Sequence, residues 1–396
     1  MIRNETQRNV NAPGISRTEF EERLARSQAA AGARELAGLL VVGRSFYDRP
    51  GNLAYLTNHF PPFPTTADLG DWQGMGHGFL VLPATGEPTL IVDGRAYRED
   101  LVAVEDVRLD TNLPRAVADV IRERGLAGGV IGLVSDDILP LSMYRSLAER
   151  LPDVQWAPAG DIVENQRMIK SPTEQQLLRQ AAGVASEGLR AALDAVGFGV
   201  READVNAAGT AAAMRAGADF VRYLRVHSGL WSAWGSRWPQ ASDRAMEKGD
   251  LVTLDIIGAV QGYGFDVLRT TIVGFDTLPE QRAMCEAVLH ALAVVLDRAR
   301  PGVTVGEMVR AGLRVMEVAG YGQSMSRFMG HGIGLETVEA PLLVPDSDVV
   351  LQPGMVLCIE PGIYIRGWSG CSIEEEVIIT EGEPEVITHL ARRLWE

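Results

Sequence analysis

Leu251-Val-Thr-Leu-Asp255-Ile-Ile-Gly-Ala-Val-Gln-Gly-Tyr-Gly-Phe-Asp266-Val-Leu-Arg-Thr-Thr271 decides how this chain reads. Two apolar runs flank Gly258 and Gly262, which makes them the arms of a β-hairpin. Paired symmetrically about Val260 and Gln261, the arms set Asp255 opposite Asp266. Directly paired residues share one face of a sheet, with Cβ atoms roughly 4.5–5.5 Å apart. Two carboxylates so placed repel each other, and Asp is a poor strand former. A cation between them removes both objections.

The same oddity recurs downstream. Met355-Val-Leu-Cys-Ile-Glu360-Pro-Gly is an apolar strand ending in a carboxylate, and Gly370-Cys-Ser-Ile-Glu374-Glu-Glu-Val-Ile-Ile-Thr is another with acids at its apolar end. Between the two pairs lies Gly330-His331-Gly-Ile-Gly, where glycines let the backbone pack closely around an imidazole. Four carboxylates and one His suit hard or borderline divalent ions such as Mn(II), Co(II), Fe(II) or Zn(II). Four negative charges balance two such ions, and paired metals lower the pKa of a shared water and clamp developing oxyanions. Each residue has a plainer reading alone: a turn-forming Asp, a structural His between glycines, solvated acids at strand ends. All five together require five coincidences.

Working outward, 396 residues are too many for one ordinary core and suit two domains. The formal net charge of −15 argues against nucleic acid and fits poorly with an anionic membrane surface. Cys285, Cys358 and Cys371 are odd in number and form no C-x-x-C pair, so neither a disulfide framework nor a thiolate zinc site is expected. The start, Met1 to Pro13, is polar and lacks the apolar core of a leader, and no apolar run is long enough to span a bilayer, so a cytoplasmic protein is expected.

Ser16 caps a helix to about Ala33, and Gly38-Leu-Leu-Val-Val reads as a buried strand. Strands at Gly78–Pro83 and Pro88–Val92 and helices at Leu113–Arg124 and Ser142–Leu151 follow, giving an α/β N-terminal domain over residues 1–165. At Ile169-Lys-Ser-Pro-Thr-Glu, Ser171, Pro172 and Glu174 form a capping box that opens a helix to about Val196. Further helices at Val200–Arg215, Pro279–Arg300 and from Thr304 to Gly320 alternate with hairpins, so residues 166–396 read as α+β. No internal repeat is visible.

The pattern of Asp255, Asp266 in Asp-Val-Leu-Arg-Thr, Gly-His331-Gly-Ile-Gly-Leu, Ile-Glu360-Pro-Gly and Ile-Glu374-Glu-Glu-Val resembles the pita-bread metallopeptidase family, which includes methionine aminopeptidase, aminopeptidase P, prolidase and creatinase. The Arg-Met-Ile-Lys-Ser-Pro-Thr-Glu stretch at Arg167 is similar to the junction of its two-domain members. The resemblance implies a pita-bread C-terminal domain after a creatinase-like N-terminal one, metal ligation by Asp255, Asp266, His331, Glu360 and Glu374, two divalent ions and a homodimer.

Two departures bear on activity. Family peptidases carry a His-Glu-x-Pro element where this chain has Val338-Glu339-Ala-Pro341, and a second His in the segment here spanning Trp231 to Asp243, which has none. Those histidines bind peptide and stabilise the tetrahedral intermediate, and losing one oxyanion donor costs roughly 10²–10³ in rate. The dimethylsulfoniopropionate lyase branch also lacks them and has a Trp in the upstream segment, but it carries an extra Asp where this chain has Ile257.

Trp231, Trp234 and Trp238 crowd just before the metal strand, either as core or dimer packing or as an aromatic pocket for a small apolar or cationic substrate. His227 is a candidate proton donor in place of the missing histidines, Glu339 a candidate catalytic acid, and Arg269 a candidate partner of the ligand carboxylates. The expectation is a metal-dependent hydrolase of an amide or peptide-like bond in a small molecule or short peptide, with Glu360 relaying a proton. The alternatives are a lyase of the dimethylsulfoniopropionate type and a non-catalytic binding protein.

Overall fold

The computed structural model describes residues 14–64, 68–94, 97–274 and 277–395. Met1 to Pro13, on which the expectation of no leader rests, lies outside them. Among the described residues no helix is long and apolar enough to cross a membrane. The chain falls into two compact units that divide between Arg167 and Met168.

In the first unit the Ser16 hydroxyl accepts from the Glu19 amide and opens α1 (Arg17–Ala33). Six strands follow, β1 (Gly38–Arg44), β2 (His77–Pro83), β3 (Thr89–Asp93), β4 (Asp106–Asp110), β5 (Val130–Val134) and β6 (Gln155–Pro158). They form one sheet in the order β4-β3-β2-β1-β5-β6, with β1 antiparallel to β2 and parallel to β5. Of the helices α2 (Gly51–Thr57), α3 (Leu113–Glu123), α4 (Leu141–Arg150) and α5 (Asp161–Met168), α3 and α4 bury Val117, Ile121 and Leu147 against Leu40, Phe79 and Ile91. The α/β character read from the sequence stands. The short edge strands β4 and β6 are half exposed, so they carry no apolar run to read.

The second unit begins at α6 (Pro172–Ala195), whose capping box is formed by Ser171 and Glu174 in both directions. Then come α7 (Glu202–Ala216) and the antiparallel sheet β7 (Phe220–Ser228), β8 (Leu251–Val260) and β9 (Tyr263–Ile272). Strands β8 and β9 are buried along almost their whole length, so the two faces cannot be told apart by polarity in the sequence. They differ in what covers them. Leu224, Val226, Leu254, Ile256, Phe265 and Val267 pack beneath α6 and α7. The alternate residues, Arg225, Asp255 and Asp266 among them, project from the other face.

The hairpin register differs from the expectation. The turn is Gln261-Gly262, with φ of 51° and 80°, and Val260 pairs with Tyr263. Two positive-φ residues give a two-residue turn whose twist matches that of the strands. Asp255 therefore pairs with Leu268, and Asp266 with Ile257. The two aspartates are diagonal neighbours on one face, not directly opposed.

Helices α8 (Pro279–Arg298) and α9 (Val305–Val318) precede strands β10 (Gly330–Gly332), β11 (Glu339–Leu342), β12 (Val356–Ile359), β13 (Gly362–Ile365), β14 (Ser369–Ser372), β15 (Glu375–Ile378) and β16 (Glu385–Val386). A five-stranded sheet runs β11-β10-β12-β15-β16, and β13 and β14 form a hairpin. Met284, Val288, Leu292 and Met308 pack with Leu357, Ile359 and Val377. A helix pair on an antiparallel sheet thus occurs twice, with no repeat in the sequence to announce it.

Candidate metal centre

His331 is held by its two glycines. A Cβ on Gly330 would lie 1.9 Å from the Cys358 carbonyl oxygen, and one on Gly332 would lie 2.3 Å from that of Ala340. Only glycine permits β10 to sit this close between β11 and β12. Two hydrogen bonds tie the sheets at the same level. The Glu374 amide donates to the Leu268 carbonyl (3.0 Å), and the Asp266 amide donates to Glu376 Oε1 (2.9 Å).

This framework brings the five expected side chains together. Carboxylate oxygens of Asp255, Asp266 and Glu374 lie within 4.8 Å of one another. His331 Nε2 stands 3.6 Å from Asp266 Oδ2 and 3.6 Å from Glu360 Oε1. Asp255, Asp266, His331 and Glu374 are buried, whereas the Glu360 side chain keeps 22% of its surface exposed.

Crowding like charges out of water has the expected electrostatic result. Burial, then Asp266, pushes Asp255 well above the usual carboxylate range, against the pull of Arg225. Glu374 rises well above that range through burial and the charges of Asp266, Glu360 and Asp255. Glu360 is raised to about 7, chiefly by burial. Burial would lower His331, but Asp266 and Glu360 overcome it and raise the imidazole to about 9. Its Nδ1 lies 3.0 Å from the Gly332 carbonyl oxygen, which can only accept, so Nε2 is the atom aimed at the carboxylates.

Among these groups Asp255 Oδ1 and Glu374 Oε1 are buried and have no hydrogen-bond partner. Unpartnered buried oxygens are costly and rare. Their lone pairs, the four carboxylates and the tautomer of His331 fit divalent cations. Oxygen and imidazole donors are the set that hard or borderline ions take.

Other expected residues are placed as follows. Arg269 is fully buried, but it does not bond the side-chain carboxylates of the cluster, as was expected of it. It donates to the backbone carbonyl of Glu374 and pairs with Glu375 (3.0 Å), so it fixes Glu374 through the main chain. Glu339 accepts from the Glu336 amide (2.9 Å) and pairs with buried Lys170 (3.3 Å). His227 is buried, with Nδ1 3.1 Å from the Trp234 carbonyl oxygen and Nε2 unpartnered, and its pKa is lowered, first by burial. Trp231 and Trp234 are neighbours, with centroids 6.4 Å apart. Arg237 lies over one ring and Arg366 over the other, so the chain's own cations occupy a face of each. Trp238 is 86% exposed. Val338 is also exposed.

Three neighbours of the centre were not singled out from the sequence. Arg225 pairs with Asp255 Oδ2 at 2.7 Å, donates to the Gly235 carbonyl and stacks on Tyr223. Glu376 is fully buried with Oε2 unpartnered. Cys358 lies directly across from His331. The signal available for Arg225 was a charged residue within the strand run of β7; for Cys358 it was the two-residue step to Glu360.

Residues 176–381 match the profile of metallopeptidase family M24, and residues 23–169 that of the Creatinase/Prolidase N-terminal domain. The chain is 34% identical over 323 residues to the uncharacterized peptidase YqhT of Bacillus subtilis, covering 81% of this chain and 90% of that one. It is 29% identical over 355 residues to the Xaa-Pro dipeptidase of Pyrococcus furiosus, covering 89% and 95%. The solved Xaa-Pro dipeptidase from Bacillus anthracis superposes with a TM-score of 0.81 at 29% identity, covering 95% of this chain and 99% of that one.

Proposed function

We propose, on the premise that this chain belongs to metallopeptidase family M24, that it hydrolyses an amide bond in a dipeptide-like substrate of the Xaa-Pro kind, using two divalent ions held by Asp255, Asp266, His331, Glu360 and Glu374. Its pita-bread unit and creatinase-like unit are those of the family. The observation that carries the reading is the convergence of four carboxylates and one imidazole, with two buried oxygens lacking a partner.

The ions, when bound, supply Lewis acidity and an activated water. The chain's residues do the rest. Glu360 is the part-exposed carboxylate of the cluster, so it is the one placed to exchange a proton with substrate or solvent. Arg225 holds Asp255 in place and offsets one of the assembled negative charges. Val338 and the Trp231–Asp243 segment offer no imidazole where the family's peptidases have one, so slow turnover of Xaa-Pro dipeptides is part of the proposal. No observation among the described residues favours the lyase or the non-catalytic alternative.

The test is an assay of Xaa-Pro dipeptides and small amides with the metal-stripped chain, then with Mn(II) or Co(II) restored, in ¹⁸O-labelled water. The expected result is metal-dependent cleavage with one labelled oxygen in the new carboxylate. An unlabelled, alkene-containing product would replace hydrolysis by elimination, and no turnover of any member would remove the proposal.

A further inference from the structure

Buried cysteines ordinarily serve as small apolar filler. Cys285 and Cys371 do so here, packed in the core beneath α8 and α9. Cys358 is equally buried but stands apart from that core. It pairs across β10 with His331 and across β15 with Glu376. Directly paired residues share a face, so its thiol points where the imidazole points. A ring nitrogen of His331, the Cys358 sulfur and a Glu374 oxygen lie within 4.8 Å of one another. The thiol donates only a long hydrogen bond, 3.8 Å to the Asp266 carbonyl oxygen. Beside it, Glu374 Oε1 is buried and without a partner, a lone pair that a cation at this spot would satisfy.

We propose that Cys358 is a further metal ligand. It would act with His331 and Glu374 and bias that position toward thiophilic divalent ions, Zn(II), Co(II) or Cd(II), over Mn(II). The inference rests on the metal-dependent reading above and adds a sulfur donor to it. Donor atoms of a tetrahedral zinc shell lie roughly 3.4–3.6 Å apart, so the trio needs to contract by no more than about 1.3 Å. On binding, the metal–sulfur bond forms, the S–H bond breaks and the proton leaves to solvent. Sulfur prefers softer ions, whereas Mn(II) prefers oxygen.

The experiment is a Co(II) titration of the full metal-stripped chain, followed by absorption spectroscopy and with bound metal counted in parallel, alongside Cys358→Ser and Cys358→Thr. The expected result is a near-ultraviolet sulfur-to-cobalt charge-transfer band in the parent chain that disappears in both variants while Co(II) still binds. Zn(II) affinity should fall about tenfold or more in the variants, and Mn(II) affinity should not. Cobalt bound without the band, or a band that survives in either variant, overturns the sulfur ligand and leaves the five-residue centre standing. No bound cobalt at all overturns both. Should the variants fail to fold, ¹¹³Cd NMR of the parent chain decides alone: a shift in the thiolate range supports the ligand, and one in the oxygen and nitrogen range overturns it.

Discussion

Two neighbouring residues of one strand end, Glu374 and Glu375, show how differently a fold can treat a buried carboxylate. Glu375 is paired with Arg269 and Arg392 and accepts from the Thr388 hydroxyl. Glu202 is treated in the same way: fully buried, it takes the amides and hydroxyls of Ser228 and Ser242 and pairs with Arg237. Glu374 and Asp255 are also buried, yet each keeps an oxygen with no partner. Acids of the first kind complete the structure by themselves. Those of the second kind keep a lone pair that no group among the described residues satisfies. Burial and charge are common to both, and what separates them is whether their lone pairs are satisfied.

The largest effect expected from this contrast is at Glu202. Glu202→Ala strands the donors of Ser228, Ser242 and Arg237, costing about 3–5 kcal/mol of stability. Chemical denaturation should show that loss equally with and without added metal. A variant whose stability is rescued by Mn(II) would break the distinction.

Glu374→Gln should do the reverse. A ligand itself should cost at least the roughly 10–100-fold in metal affinity or activity that a ligand's hydrogen-bond partners cost. The metal-stripped variant should nevertheless melt no lower than the metal-stripped parent, because one repelling charge has gone. A lower melting temperature would place Glu374 with the structural acids.

Arg225→Met sharpens the comparison, since Arg225 is the one cation that the fold pairs with Asp255 among the described residues. Removing a positive charge this close should raise divalent-ion affinity roughly tenfold, as Coulomb's law in a partly buried site requires. Weaker binding, measured by calorimetry, would mean that its hold on Asp255 outweighs its repulsion of the ion.

The smallest effect is in pH. Glu360 has a folded-state pKa of about 7, above its ordinary value of 4.5. A raised carboxyl contributes stability that is fully present below 4.5 and lost as pH climbs through 7. The metal-stripped chain should therefore lose stability between about pH 5 and 8, and the gap to the metal-loaded chain should widen over the same window. A gap that narrows with pH would contradict the assignment.

Much of this was legible in the sequence because strong local signals mark it. The Ser171–Glu174 and Thr304–Glu307 capping boxes open helices where the residues say they must. The acids at the apolar ends of strands led to the residues that converge. The register of β8 and β9 was not legible, because Gln261 adopts a positive φ that asparagine or glycine would have advertised. Nor was Arg269's partner, since a sequence does not tell Glu374 from Glu375. Both faces of β8 are buried, so nothing in its composition set Arg225 beside Asp255. Whether a lone pair finds a donor depends on residues far apart in the chain, as with Glu202 and Ser242, and no local pattern carries that.

The most direct measurement is anomalous diffraction from crystals of the full chain grown with Mn(II). Two peaks are expected, each about 2.0–2.3 Å from oxygens or nitrogen of Asp255, Asp266, His331, Glu360 and Glu374. A map with no peak at these side chains, their oxygens bonded instead to other groups of the chain, would contradict the claim that the fold leaves them for metal.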